Sequence, residues 1–173
     1  METPPKITLT IKLRSLFKEN TRGLKQLKFG EILFHGARYD DPKTHFSQAR
    51  SFAFERWYAG EYCYANGGIA CRNAKVLRLR LKRDVDLIDV NAFPIAMSDE
   101  ACRLVPSRWQ GAAFQMHILP SLAEQFLNRR LDGFWDGEKD ILLSSPEQVI
   151  DIVNAEEPPT TKREWRQIFG MSL

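Results

Sequence analysis

The chain has 173 residues, 43% of them apolar and 27% charged. That length suits one domain with a core of its own, and the composition excludes a disordered or fibrous chain. The net charge of +3 hides a split: residues 1–83 carry 17 Lys/Arg against 7 Asp/Glu, and residues 84–173 carry 8 against 15, nets of +10 and −7. The basic first half points to an anionic partner.

Residues 7–13, Ile-Thr-Leu-Thr-Ile-Lys-Leu, alternate apolar and polar, which predicts a half-buried strand. Residues 14–28 are basic and predict a short helix or a pair of turns. Glu31 to His35 reads as a buried strand ended by Gly36, and Asp40-Asp41-Pro42 as a turn. Ser47 is placed to cap a helix over Gln48 to Gly60, with Phe52, Ala53, Trp57 and Tyr58 at helical spacing. Asn66-Gly67-Gly68 breaks the chain. In the next strand Leu77, Leu79 and Leu81 share one face, and Arg78, Arg80 and Lys82 the other. Val85 to Val90 is a second short apolar stretch.

Ser98-Asp-Glu-Ala predicts a helix start, and Pro120 to Leu131 a helix stopped by Gly133. Ile141-Leu-Leu and Val149 to Val153 read as the last strands, followed by a linker at Glu156-Glu-Pro-Pro. Thr161 and Glu164 match a capping box for a final helix carrying Trp165 and Phe169. Strands that come in pairs, without regular β-α-β alternation, predict an α+β fold in a single domain over 1–173.

Cys63, Cys71 and Cys102 fit no zinc spacing, so small buried hydrophobes are expected and no metal. Met1 to Lys6 is polar and no apolar run approaches the ~20 residues that span a bilayer. The expectation is a cytoplasmic protein with no membrane partner.

Three constellations bear chemistry. Leu33-Phe34-His35-Gly36-Ala37-Arg38 puts a hydrogen-bonding ring beside backbone that a ligand can approach; alone, it reads as a core His before a turn. Thr44-His45-Phe46-Ser47, followed by Trp57-Tyr58-Ala59, offers an aromatic platform; for Phe52 and Phe54 the plain reading is core. The loop Asp132-Gly-Phe-Trp-Asp-Gly-Glu-Lys-Asp140 leads an acidic, Gly-rich turn into a buried strand. A carboxylate at that strand mouth can bind a hydroxyl or stabilise a cation, while Asp136 reads as a solvated turn residue.

In this order the pieces resemble the ADP-ribosyltransferase superfamily, nearer its diphtheria-toxin and poly-ADP-ribose polymerase branch. That branch has a His-Gly at one strand end, then an aromatic opening, often Tyr-Phe-Ser/Ala, that leads into a helix of the form A..YA. A late strand begins with a catalytic Glu. The match runs over residues 31–153, and the stretch Asp132 to Val149 is similar to phage-associated members. The resemblance implies two small sheets forming an NAD cleft with flanking helices, and NAD as the substrate.

His35 then contacts the ribose, the Gly36 backbone the nicotinamide amide, and Arg38 belongs to the same NAD-binding motif. His45 or Phe46 takes the motif-tyrosine place, Ser47 opens the helix, and Tyr58 or Trp57 stacks on nicotinamide. Asp140 takes the place of the catalytic Glu, one methylene shorter, with Glu147 as the alternative carboxylate. Glu138, two residues ahead of Asp140, resembles the first residue of the family's Glu/Gln-x-Glu pair, which helps select and activate the acceptor, and so joins His35 and Asp140 as catalytic. Trp135 is a further candidate for target recognition.

The resemblance implies a mono-ADP-ribosyltransferase of toxin or effector type, with an antitoxin protein among its partners. The basic half favours RNA or DNA over protein as acceptor, through the Arg78, Arg80 and Lys82 face. A non-catalytic nucleic-acid-binding or interaction module is the other reading. The charge split further predicts a cleft with His35 on one wall and Asp140 on the other, each from its own half of the chain.

Overall fold

A computed structural model describes residues 3–19, 24–38, 45–89, 103–111 and 113–171. The fold is mixed α/β, with eight strands and four α-helices among the described residues. In chain order these are α1 (Ile11–Glu19), β1 (Leu24–Leu27), β2 (Ile32–Arg38), β3 (Arg50–Ala53), α2 (Arg56–Glu61), β4 (Ala74–Leu81), β5 (Val85–Asp89), α3 (Leu119–Leu127), β6 (Gly133–Trp135), β7 (Asp140–Leu143), β8 (Ile150–Glu156) and α4 (Lys162–Ile168). They fall into two compact units, Met1–Gln26 with Asp86–Glu138, and Leu27–Val85 with Lys139–Leu173. No described helix is long and apolar enough to cross a membrane.

In the first unit, the alternation over 7–13 gives way to helix. The Thr10 hydroxyl accepts from the Leu13 N–H at 3.2 Å, and its carbonyl from the Arg14 N–H at 2.8 Å. Such an N-cap satisfies donors that an alternating pattern leaves open, and helix α1 starts there. Residues 7 and 9 are held to α3, where the Gln125 side chain donates to the Ile7 carbonyl and accepts from the Leu9 N–H. Helix α3 follows a π-helical turn, Phe114–Ile118, and ends at Asn128, whose φ of 51° is left-handed. Asn tolerates that conformation, so the stop is Asn128. Gly133 instead starts β6, which pairs in parallel with β5 through Leu87↔Gly133 to Asp89↔Trp135.

The second unit is antiparallel throughout, in the order β7-β3-β2-β4-β8. Strand β4 obeys its alternation: Leu77, Leu79 and Leu81 are fully buried, and Arg78 and Arg80 are exposed. Strand β2 runs through Gly36 to Arg38, so Gly36 is a strand residue and not a stop. The register Gly36↔Val76 keeps it in the ladder. The expected helix over 48–60 divides: Arg50–Ala53 is strand β3, and only Arg56–Glu61 is helix. Phe52 and Ala53 are buried at the inner end of β3, which lies between β2 and β7, while Ser51 earlier in the strand is exposed. Ser47 precedes a strand and caps no helix.

Helix α2 packs on β2 and α4 through glycines. A Cβ on Gly36 would lie 2.0 Å from the Ala59 carbonyl oxygen, and one on Gly60 2.1 Å from the Trp165 ring. Trp165, almost fully buried, donates its indole N–H to the Trp57 carbonyl at 2.8 Å. The predicted capping box forms, with the Glu164 N–H on the Thr161 hydroxyl and the Thr161 N–H on the Glu164 carboxylate. Asn66-Gly67-Gly68 is the expected break, with φ of 107° and 76° at the two glycines. Asp40-Asp41-Pro42, the helix start at Ser98 and Cys102 lie outside the described residues.

Candidate active site

Strands β2 and β3 pair at Phe34↔Ala53, and β3 pairs with β7 at Ala53↔Asp140, so these three residues form one row across three strands. One residue beyond Phe34, a side chain carries the link between β2 and β3. His35 Nδ1 lies 2.7 Å from the Ser51 carbonyl oxygen. A carbonyl only accepts, so Nδ1 carries the proton. Burial pushes the His35 pKa down to about 4, helped by the nearby His45 and Arg50 charges and opposed by the Ser51 bond. The ring is therefore neutral at pH 7 and Nε2 is an acceptor. It accepts from His45 Nε2, 2.7 Å away. Burial and Arg50 lower the His45 pKa too.

A cavity of about 230 Å³ opens beside this link. His35, Gly36, Ser51 and Ala53 line it from the sheet, Ala59 and Tyr62 from α2 and its end, and Asp140 from the mouth of β7. The Tyr58 hydroxyl donates to Asp140 Oδ2 at 2.9 Å and lies 3.0 Å from the Tyr62 hydroxyl. Tyr58 gives its proton to the carboxylate, so Tyr62 is the donor to Tyr58. Burial, the Tyr62 bond and the Asp140 charge all push the Tyr58 pKa up, so it stays a donor. A carboxylate aimed by a phenol, a neutral imidazole and bare glycine backbone thus surround one small cavity. Such a set can hold a planar amide-bearing ring and stabilise positive charge beside it.

His35, Gly36 and Asp140, picked from the sequence, meet here. The other predicted residues have different surroundings. Phe46 is buried, with its ring 5.6 Å from His35 and 5.9 Å from Phe52, and is core. His45 reaches the cavity only through His35, and Ser47 is an exposed turn residue. Arg38 donates to the Tyr62 and Tyr64 carbonyls, tying down the end of α2. Trp57 faces a second groove, with its indole N–H on Glu55. Glu147 is exposed in a 3-10 turn, away from the cavity lining. Glu138 belongs to the other unit, where its N–H meets the Asp136 carboxylate at 2.8 Å. Trp135, in that same unit, carries the Lys25 ammonium 4.9 Å from its ring centre. Cys63 and Cys71 are free thiols, and no group of three metal-ligating side chains occurs among the described residues.

Sequence reasoning missed Ser51, Ala53 and Tyr62. The sheet shows that Ser51-Phe52-Ala53, and not His45-Phe46-Ser47, is the segment that lies beside β2 and leads into α2. Its signal was the short apolar run Phe52-Ala53-Phe54 after Ser51, followed by the charged pair Glu55-Arg56 that opens the helix. Arg50 was missed as well: its Nε is buried with no hydrogen-bond partner among the described residues. No protein-family model, curated protein or solved structure matches the chain.

Proposed function

We propose that the second unit binds the nicotinamide end of NAD and transfers the ADP-ribose to a macromolecular acceptor, as an ADP-ribosyltransferase of toxin or effector type. The observation that carries this reading is the convergence of His35-Gly36, the strand Ser51-Phe52-Ala53 and Asp140 on one cavity, in the chain order of the resemblance. At about 230 Å³ the cavity is smaller than the roughly 300–1,000 Å³ typical of whole-ligand pockets, so it suits one ring of a dinucleotide.

In this reading the nicotinamide lies against the Gly36 backbone, as the resemblance implies, and beside Tyr62, which the packing of α2 on Gly36 brings to the cavity. Asp140 faces the ribose. As the bond from ribose C1′ to the nicotinamide nitrogen breaks, nicotinamide leaves with the electron pair and C1′ gains positive charge. The carboxylate stabilises that charge. The acceptor's lone pair then forms the new bond to C1′, and the acceptor loses a proton. A neutral His35 adds no opposing positive charge, and a ribose hydroxyl replaces His45 as the donor to its Nε2. Tyr62 takes the stacking role expected of Tyr58 or Trp57, and Tyr58 positions Asp140.

Nicotinamide release from NAD by the purified protein tests this. Asp140→Asn keeps the shape and removes the charge, and should cut release by roughly 10²-fold or more. His35→Ala should also lower it. Wild-type protein that leaves NAD intact, or equal release by Asp140→Asn, overturns the proposal. A toxin-type enzyme should also arrest bacterial growth on expression, and Asp140→Asn should relieve the arrest.

A further inference from the structure

A second groove, about 550 Å³ in volume, lies against the same helix. Trp57, Tyr58, Glu61, Lys139, Arg166 and Met171 line it. Tyr58 belongs to both places: its ring walls this groove while its hydroxyl holds Asp140. Lys139, next in sequence to Asp140, sets its ammonium 5.2 Å from the centre of the Trp57 ring and 5.4 Å from that of Tyr58. Trp57 is half-buried and fixed at two points. Its indole N–H is on Glu55, and its carbonyl accepts from Trp165. A rigid flat ring under a displaceable cation is a stacking platform.

Among the charged residues that line the groove, Lys139 and Arg166 stand against Glu61. Burial would raise the Glu61 carboxyl, but bonds from Arg166 at 2.7 Å and Lys162 at 3.1 Å outweigh it and keep Glu61 ionised and paired. Glu61 is thereby neutralised, and Lys139 is left as the cation over the Trp57 and Tyr58 rings.

From this groove we infer that the acceptor is a single-stranded nucleic acid, one base of which stacks on Trp57 while Lys139 and Arg166 meet its phosphates. That this nucleic acid is the acceptor rests on the NAD reading, but its binding does not. Aromatic stacking serves any base and requires it to be unstacked from a duplex, and cations serve the backbone. An acidic peptide would use the cations and leave the ring idle. The site differs from the Arg78, Arg80 and Lys82 face expected from the sequence.

The test measures binding of fluorescein-labelled 12-nucleotide DNA and RNA single strands to the NAD-free protein, in parallel with nicotinamide release by the same wild-type preparation. We expect single strands to bind better than the matching duplex and more weakly as salt rises. Trp57→Ala should weaken binding roughly 5- to 100-fold, the range for one stacked base, and Trp57→Phe should restore most of it. No binding of either strand, binding unchanged in Trp57→Ala, or equal competition by polyglutamate overturns the inference. Nicotinamide release without strand binding overturns the groove and leaves the NAD reading standing. Trp57-dependent binding without nicotinamide release overturns the NAD reading alone.

Discussion

His35 shows how much one side chain's environment decides. Its sequence context, an apolar strand followed by glycine, fits a core histidine and a ligand-binding one equally well. The structure gives it both characters: 8% exposed among Phe46 and Phe52, and yet on the wall of the cavity. Burial holds its pKa at about 4 in the folded chain, below the ordinary 6.5 it regains on unfolding. Between these values the unfolded chain binds the extra proton, so stability is full above pH 6.5 and falls as pH drops towards 4. The loss is on the order of 3 kcal/mol. Urea midpoints at pH 7 and pH 4.5 should differ, and His35→Phe should reduce that difference. An equal difference in the variant would show that other groups set the slope. Asp140 was legible because a carboxylate opening an apolar strand is unusual. Tyr62 was not, because only the packing of α2 on Gly36 turns it towards Asp140.

At the scale of elements, pattern succeeded where one force acts and failed where two compete. Strand β4 and helix α4 match their alternation and their capping box because no neighbouring signal opposes them. Residues 7–13 alternate like a strand, yet the Thr10 cap starts a helix. Residues 50–53 are spaced like a helix with the residues that follow, yet a strand position between β2 and β7 claims them. Such long-range pairing leaves no local trace. Gly36 is the element-scale hinge of the site, because its missing side chain admits α2 and with it Tyr58 and Tyr62. Gly36→Ala puts a methyl group against the Ala59 backbone, which cannot move as a side chain can. It should cost about 1–3 kcal/mol. A thermal melt should show a clearly lower midpoint, and nicotinamide release should fall further than stability alone explains. An unchanged midpoint would mean that α2 does not pack as described.

At the scale of the whole molecule, the charge split takes on a different meaning. The basic and acidic halves of the sequence do not correspond to the two units. The unit holding the site joins residues 27–85 to residues 139–173 and carries 15 Lys/Arg against 12 Asp/Glu. The other carries 10 against 10. His35 and Asp140 come from opposite halves of the chain, as expected, but they share one unit and one sheet, with β3 between them. Chain order therefore exaggerated a polarity that folding mixes. What survives is local: a carboxylate in a small cavity, and cations around an aromatic groove next to it. The most direct test follows the sugar itself. Incubated with cell extract and NAD radiolabelled in its adenylate phosphate, the protein should move label into macromolecules as it releases an equal amount of nicotinamide, and nuclease should free that label. Label that stays in intact NAD would contradict the transferase reading.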